Sequence, residues 1–117
     1  MKKTPFYDKH KELNGKIVDF AGFRMPVRYT SIIDEVKAVR ESLGIFDVSH
    51  MGEIEIKGPD AVDFTNFITT NNVSNLDVWQ AQYTTMLYPD GGIVDDLLVY
   101  RLPEKFLLVV NAANSDK

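Results

Sequence analysis

The 117-residue chain contains no cysteine, no long apolar run and no excess of positive charge. The missing cysteines exclude disulfides, thiolate metal ligands and a cysteine nucleophile. No apolar run approaches the ~20 residues of a membrane-spanning helix, and the residues after Met1 lack the apolar core of a signal peptide. The formal net charge is -4, which gives no basic footprint for nucleic acid or an anionic membrane. We therefore expect a cytoplasmic protein that binds neither.

The order of the predicted elements is typical of an α+β fold, with a mostly antiparallel sheet and helices packed on it. Apolar residues recur at helical spacing between Ser31 and Gly44, which predicts an amphipathic helix. Shorter helices are expected over 6–13 and 59–68. Strands are expected over 16–20, 53–57, 82–88, 93–102 and 106–111, of which the last three form a meander. Residues 21–26 are expected to be an irregular connection.

The stretch from Gly91 to Tyr100 joins a glycine turn to a strand that carries two adjacent carboxylates. Side chains alternate across a strand, so Asp96 shares one face with Tyr100 and Asp95 lies on the other. Both faces are otherwise apolar, and whichever packs inward carries an aspartate with it. A buried carboxylate is costly unless it is paired or hydrogen-bonded. A ligand-binding cleft is one reason for its presence.

Pairing of the strands on either side of this turn predicts which side chains surround Asp96. If Tyr88 lies opposite Ile93, then Tyr83 lies opposite Leu98 and shares the face of Asp96.

The loop into the last strand decides where Asn111 lies. A two-residue loop at 103–104 or at 104–105 places Asn111 on the face of Asp96, whereas a three-residue loop turns it away. The expected cluster consists of Tyr83, Asp96, Tyr100 and Asn111. Two aromatic rings, a carboxylate and a carboxamide suit a flat heterocycle rich in N–H donors. A core with satisfied polar groups is the alternative interpretation.

Neither histidine indicates a metal or catalytic site. His10 is expected on a surface helix with no other residue to help it bind a metal. His50 is expected in a strand close to Gly52, as a hydrogen-bonded structural residue. Asp47 and Ser49 lie too close to His50 in sequence to form a catalytic triad with it. We expect no bound metal.

Several motifs, in order along the chain, resemble the N-terminal part of the glycine cleavage system T-protein family. They are Lys3-Thr4-Pro5 with Tyr7-Asp8-Lys9-His10, Val18-Asp19-Phe20-Ala21-Gly22, Met25-Pro26-Val27, Gly44-Ile45-Phe46-Asp47-Val48-Ser49-His50-Met51-Gly52, Gly91 to Tyr100, and Val110-Asn111-Ala112-Ala113-Asn114. The resemblance implies that residues 1–117 are the N-terminal portion of a larger folate-binding domain. A truncated chain is also expected because little sequence follows the last strand to cover the second face of its sheet.

Members of this family are tetrahydrofolate-dependent aminomethyltransferases. The resemblance implies transfer of the methylene of an aminomethyl group, carried on the lipoyl arm of H-protein, to tetrahydrofolate with release of ammonia. Tetrahydrofolate is then an acceptor substrate, and no covalently bound cofactor, metal or flavin is implied. Asp96 matches the family's functional aspartate. Tyr83 and Asn111 match folate-contacting positions, Met51 is expected to line the same pocket, and Tyr100 is added from its place on the strand face.

The family's pocket is completed by residues outside these 117, so this chain alone is expected to bind folate weakly and to be inactive. Three alternatives stay open: a folate-binding relative without transferase activity, of the type that supports iron–sulfur assembly; the folate domain of a sarcosine- or dimethylglycine-oxidising enzyme; and an inert scaffold with a buried aspartate.

Overall fold

Antiparallel pairing dominates both sheets of the computed structural model, which confirms the expected α+β class. The structure describes residues 1–117 and divides into two units, 1–50 and 51–117. The helices are all too short to span a lipid bilayer.

The first unit contains three short strands and two helices. In chain order they are β1 (Lys2–Lys3), α1 (Tyr7–Glu12), β2 (Ile17–Phe20), β3 (Phe23–Pro26) and α2 (Ile32–Glu41). β2 and β3 form an antiparallel hairpin, with β1 parallel to the outer side of β3. The irregular connection expected over 21–26 is therefore wrong. Its turn consists of Ala21 and Gly22, with φ of 51° and 80°, and alanine at positive φ gives little signal for such a turn in the sequence.

Helix α2 begins as predicted. Its N-cap, Ser31, accepts a hydrogen bond from the backbone N–H of Asp34 through its side-chain oxygen. None of the helix's own residues is buried. Its apolar stripe remains exposed, at Ile32, Val36 and Val39, and it lines an open hollow.

The second unit contains a four-stranded sheet and one helix. The elements are β4 (Gly52–Ile56), α3 (Ala61–Ile68), β5 (Ala81–Leu87), β6 (Ile93–Leu102) and β7 (Lys105–Val110), with single 3-10 turns at Val73–Asn75 and Ala112–Asn114. The strand order is β4-β7-β6-β5. The strands match the predicted ranges to within a residue, whereas α3 begins at Ala61 because a turn over Gly58 to Ala61 precedes it.

One face of this sheet holds the core. The core residues are Val73, Leu76, Leu97, Val99, Phe106, Leu108 and Val110, and apolar residues of α3 pack against them. Burial of this apolar surface is the main source of the unit's stability. The opposite face of β6 is largely exposed, at Asp96 and Leu98.

The strand registers decide which side chains meet. Tyr83 lies opposite Leu98, as predicted. The predicted pairing of Tyr88 with Ile93 is wrong, because an irregularity between Met86 and Leu87 brings Leu87 opposite Ile93. The β6–β7 connection is the two-residue loop at 103–104, one of the two predicted positions that place Asn111 on the face of Asp96.

Candidate functional site

The two aspartates of β6 lie in opposite environments. Asp95 is 3% exposed and lies on the face that also carries the buried Leu97 and Val99. Asp96 lies on the exposed face. The aspartate that packs inward is therefore Asp95, and Asp96 is the carboxylate available to a ligand.

Tyr83 and Asp96 interact across the β5–β6 pair. Thr85 is directly opposite Asp96, so Tyr83 is its diagonal neighbour, within reach of a long aromatic side chain. The phenol Oη donates a hydrogen bond to Asp96 Oδ2 at 3.1 Å. This hydrogen bond, together with burial and the negative charge, raises the pKa of the Tyr83 phenol above its ordinary value. Tyr83 remains 60% exposed, so its ring is free to contact a ligand.

Asn111, the residue after β7, contacts both aspartates. Its Nδ2 lies 2.9 Å from Asp95 Oδ1 and 3.0 Å from Asp96 Oδ1, and it also donates to the Asp96 backbone carbonyl at 2.9 Å. In the opposite amide orientation, Asn111 Oδ1 would face these three oxygens. Electrostatic repulsion excludes that orientation. The Asn111 Oδ1 accepts no hydrogen bond within the protein, so it is available as an acceptor.

Asp95 is the buried end of this network. Burial alone raises its pKa, but hydrogen bonds to its carboxylate outweigh burial and hold the pKa below the usual value. The donors are the side chain and backbone N–H of Asn111, at 2.9 and 2.8 Å, and Asn114 Nδ2 at 2.5 Å. An ionised carboxylate only accepts hydrogen bonds, and each of these contacts brings a donor to Asp95.

Gly52 lets the chain after β7 fold back over the sheet. A Cβ at Gly52 would lie 2.5 Å from Ser115 Oγ and 2.8 Å from Val110 Cγ2, closer than such atoms approach. The missing side chain thus accommodates the turn Ala112–Asn114, from which Asn114 reaches Asp95. This explains a glycine at the first position of β4.

The other two predicted site residues lie at the margins of this cluster. Extending the β4–β7 register by one step places Met51, which is half-buried, opposite Asn111. Tyr100 shares the face of Asp96 but lies four residues further, about 13 Å along the strand. It pairs with Ala81 and Leu107 and makes no hydrogen bond with the cluster. The structure thus brings together Tyr83, Asp96 and Asn111.

Sequence reasoning missed Asn114 and the shared role of Asn111. The alternation rule covers residues within strands, whereas both asparagines follow the end of β7. The available signal was the Asn111-x-x-Asn114 spacing, which in one helical turn directs two amides to the same side.

A second polar network, in the first unit, was also missed. His10 is buried, so the expected surface position is wrong. Its Nε2 lies 2.7 Å from Asp47 Oδ2 and donates to it, because an ionised carboxylate only accepts. In the neutral imidazole the other nitrogen, Nδ1, then accepts from the Tyr29 hydroxyl at 2.6 Å. Thr4 Oγ1 donates to the same Asp47 oxygen at 2.7 Å. His10 and Asp47 are 37 residues apart, and no local pattern indicates their pairing.

Asp47 is ionised in this network. Burial favours its neutral form, but hydrogen bonds from His10, Ser49 and Thr4 prevail and hold the pKa of the carboxyl far below its usual range. Burial also raises the pKa of the Tyr29 phenol, an effect to which the Asp47 charge adds. These hydrogen bonds connect α1 to the segment around Asp47. The polar groups of His10, Tyr29 and Asp47 are hydrogen-bonded to one another.

His50 also differs from its prediction. It lies in a turn before β4 rather than in a strand. Its Nδ1 is buried without a hydrogen-bond partner, and its ring packs edge-on against Phe20 and Phe23. The expected hydrogen-bonded role is therefore wrong, and aromatic contacts hold the ring.

Comparisons with known proteins identify relatives of the whole chain. The GCVT N-terminal domain family model matches residues 6–117. The aminomethyltransferases of Thermotoga sp. (strain RQ2) and Desulfitobacterium hafniense (strain Y51) are 57% and 53% identical to it, in alignments of 118 positions that cover 100% of this chain and 32% of each relative. A crystal structure of glycine cleavage system aminomethyltransferase T from Bartonella henselae matches 98% of this chain and 32% of its own, with 37% identity and a TM-score of 0.93. The chain spans about a third of the length of these relatives.

Proposed function

Because the chain belongs to the GCVT N-terminal domain family, we propose that it is the N-terminal portion of a longer aminomethyltransferase of the glycine cleavage system. The names of the relatives similar to the whole chain support this assignment. In this proposal residues 1–117 supply one part of a folate-binding domain, and the remaining length of such a protein completes the pocket. The proposed location is the cytoplasm.

The proposed reaction takes the methylene of an aminomethyl group on the lipoyl arm of H-protein and releases ammonia. Tetrahydrofolate supplies the nucleophilic nitrogen that receives the carbon. The carbon exchanges its bonds to the lipoyl sulfur and to the amine nitrogen for bonds to two folate nitrogens. The sulfur leaves as a thiol and the amine as ammonia, each with a proton that a folate N–H gives up. The oxidation level of the carbon is unchanged, so no electron carrier takes part. The partners are therefore lipoylated H-protein and a folate.

Asp96 carries the chemistry in this proposal. Its carboxylate lies on the exposed face, with Tyr83 donating to Oδ2 and Asn111 donating to Oδ1. Each oxygen retains lone-pair capacity for a further donor. A carboxylate held in this way can orient a substrate amine and accept its proton as the nitrogen attacks, which is a positioning and general-base role. This oriented carboxylate is the observation on which the proposal mainly rests.

The surrounding side chains fit a flat, N–H-rich ligand. The exposed ring of Tyr83 offers a stacking surface, and Asn111 Oδ1 offers an acceptor beside Asp96. Met51 adds an apolar contact next to Asn111, and Tyr100 contacts the ligand further from the reacting nitrogen.

The alternatives fit less well. The relatives at 53% and 57% identity are named aminomethyltransferases, which favours the transferase over a folate protein of iron–sulfur assembly or a sarcosine- or dimethylglycine-oxidising enzyme. An inert scaffold with a buried aspartate accounts for Asp95. It does not account for the hydrogen-bonded pair of Tyr83 and Asp96 on the exposed face.

Titration of tetrahydrofolate into the full-length protein, combined with an assay of transfer from lipoylated H-protein, tests the proposal. We expect the wild type to bind and to transfer. Asp96→Asn should retain binding to within a few-fold and lower the transfer rate by about 10²–10⁴, the usual contribution of a general acid or base. Asp63→Asn, the same change at an exposed position of α3, should match the wild type.

A wild-type protein that does not bind folate would overturn the proposal as a whole. Undiminished transfer by Asp96→Asn would overturn the role given to Asp96. The 117-residue chain alone should bind tetrahydrofolate more weakly than the full-length protein.

A further inference from the structure

The buried carboxylate of Asp95 is joined to the exposed carboxylate of Asp96 through one side chain, Asn111. We infer that Asp95 is a positioning residue: it holds the Asn111 amide with Nδ2 inward, so that Oδ1 faces the ligand beside Asp96 as an acceptor. This inference rests on the proposed function, because it assigns a role to Asp95 in the same ligand site. The backbone geometry that makes it possible is the alternation of Asp95 and Asp96 across β6.

The amide orientation follows from the atoms around Asn111 Nδ2. Three oxygens lie within 3.0 Å of it: Asp95 Oδ1, Asp96 Oδ1 and the Asp96 backbone carbonyl oxygen. Rotation by half a turn would bring Asn111 Oδ1 against these oxygens, two of which belong to carboxylates. Electrostatic repulsion therefore selects a single orientation, and the buried Asp95 contributes more strongly than an exposed charge because screening is weaker there.

Asp95 is suited to this task because both of its oxygens face donors. Oδ1 accepts from the Nδ2 atoms of Asn111 and Asn114, and Oδ2 accepts from the backbone N–H of Asn111. An amide at position 95 would direct its own N–H₂ at a donor in either of its orientations. Asp95→Asn, although nearly isosteric, thus disturbs the arrangement and releases the Asn111 amide to turn.

The inference specifies the chemistry of the ligand edge that this site accepts. With the amide held, Asn111 presents only an acceptor, and Asp96 in its ionised form also presents only acceptors. The matching edge carries N–H donors at two neighbouring positions. A ligand with a carbonyl oxygen at either position would place it against Asn111 Oδ1 or the Asp96 carboxylate. Such a ligand is disfavoured, since an unpaired polar group in a contact lowers affinity.

The test compares the full-length wild type with Asp95→Asn and with a matched control, Asn114→Ala. The control removes a donor from Asp95 Oδ1 but leaves the Asn111 amide between the two carboxylates. We expect Asp95→Asn to raise the Kd for tetrahydrofolate, measured by calorimetry, and its KM about tenfold or more. The kcat at saturating folate should change much less, because Asp96 is retained. Asn114→Ala should lower Tm while the Kd stays within about twofold of the wild-type value.

Equal changes in Kd for the two variants at equal losses of Tm would overturn the inference, since Asp95 would then be a structural residue only. If Asp95→Asn does not fold, the wild type still provides a test. With selective ¹⁵N-asparagine labelling, the side-chain N–H₂ signal of Asn111, assigned by its loss in Asn111→Ala, should exchange slowly with water before folate is added. Fast exchange of that signal would overturn the inference.

These outcomes are separable from those of the proposed function. Failure of the wild type to bind tetrahydrofolate overturns the proposed function whatever the exchange rate of Asn111. Binding by the wild type with no specific effect of Asp95→Asn leaves the transferase assignment intact and overturns the role of Asp95.

Discussion

The phenolic oxygen of Tyr83 lies 3.1 Å from Asp96 Oδ2 and donates its proton to it. The two side chains come from neighbouring strands and meet diagonally on the exposed face of the sheet. Tyr83 therefore has two separable parts: a hydroxyl that orients the carboxylate and a ring that is open to a ligand.

Substitution Tyr83→Phe separates these two parts. The ring remains, so the Kd for tetrahydrofolate should change little, whereas the transfer rate should fall about three- to tenfold because Asp96 loses an orienting donor. Steady-state transfer kinetics with calorimetry would measure both. Tyr88→Phe, at an exposed tyrosine of the β5–β6 connection, is the control, and an unchanged transfer rate in Tyr83→Phe would contradict the orienting role.

Substitution Tyr100→Ala should act on binding rather than on chemistry. Tyr100 lies about 13 Å along β6 from Asp96, too far to contact the same reacting nitrogen. We expect a higher KM for folate with kcat nearly unchanged at saturation, and Tyr100→Phe should resemble the wild type because it keeps the ring. A fall in kcat without a change in KM would place Tyr100 in the chemical step instead.

Stability at low pH should depend on Asp47. Its pKa is held low in the folded state, so its contribution is present above the unfolded value of about 3.9 and is lost as the pH falls below it towards the folded pKa. Asp47→Asn should lower the free energy of unfolding at pH 7 by about 2–4 kcal/mol, because hydrogen bonds to a charged group are replaced by weaker ones. The substitution should also reduce the fall in the free energy of unfolding between pH 4 and pH 2.

Urea unfolding of the full-length protein at several pH values measures both effects. Asp8→Asn, at an exposed aspartate in the first turn of α1, provides the comparison and should keep the acid-dependent loss. Parallel pH curves for the wild type and Asp47→Asn would show that the His10–Asp47 pair contributes nothing to acid sensitivity.

Gly52→Ala, a change in the edge strand β4, should lower both the stability of the protein and its affinity for folate. The added methyl would lie 2.5 Å from Ser115 Oγ, and relief of the overlap displaces the turn Ala112–Asn114 together with its N-cap, Asn111. We expect a stability loss of about 1–3 kcal/mol, as for other overpacked sites, together with weaker folate binding. Ser115→Gly introduced alongside Gly52→Ala should restore part of both; an absence of any recovery would show that the overlap with Val110 dominates.

The second sheet and the centre of the site were predictable because the physical rules involved are local. Alternation along β6 separates Asp95 from Asp96, and the two-residue loop at 103–104 aligns Asn111 with the outward carboxylate. The alternation could not reveal which aspartate faces inward, because both faces of β6 are apolar in sequence. That choice depends on the side against which α3 packs.

The missed features are long-range or conformationally unusual. His10 and Asp47 meet only after the first unit folds, and the sequence around each residue is ordinary. The hairpin of β2 and β3 depends on Ala21 at a φ of 51°, which propensity disfavours and tertiary structure overrides. Asn114 acts from beyond the last strand, where a two-residue period no longer applies.

The irregularity between Met86 and Leu87 has a consequence for how this hairpin tolerates change. Pairing near the turn is offset by one residue from pairing around Tyr83 and Asp96, so the turn does not by itself dictate which aspartate points outward. In a regular hairpin, a single inserted or deleted residue would exchange the roles of Asp95 and Asp96. A bulge that can move or disappear absorbs such a change, so the β5–β6 connection should tolerate a change of one residue in length while the two carboxylates keep their places.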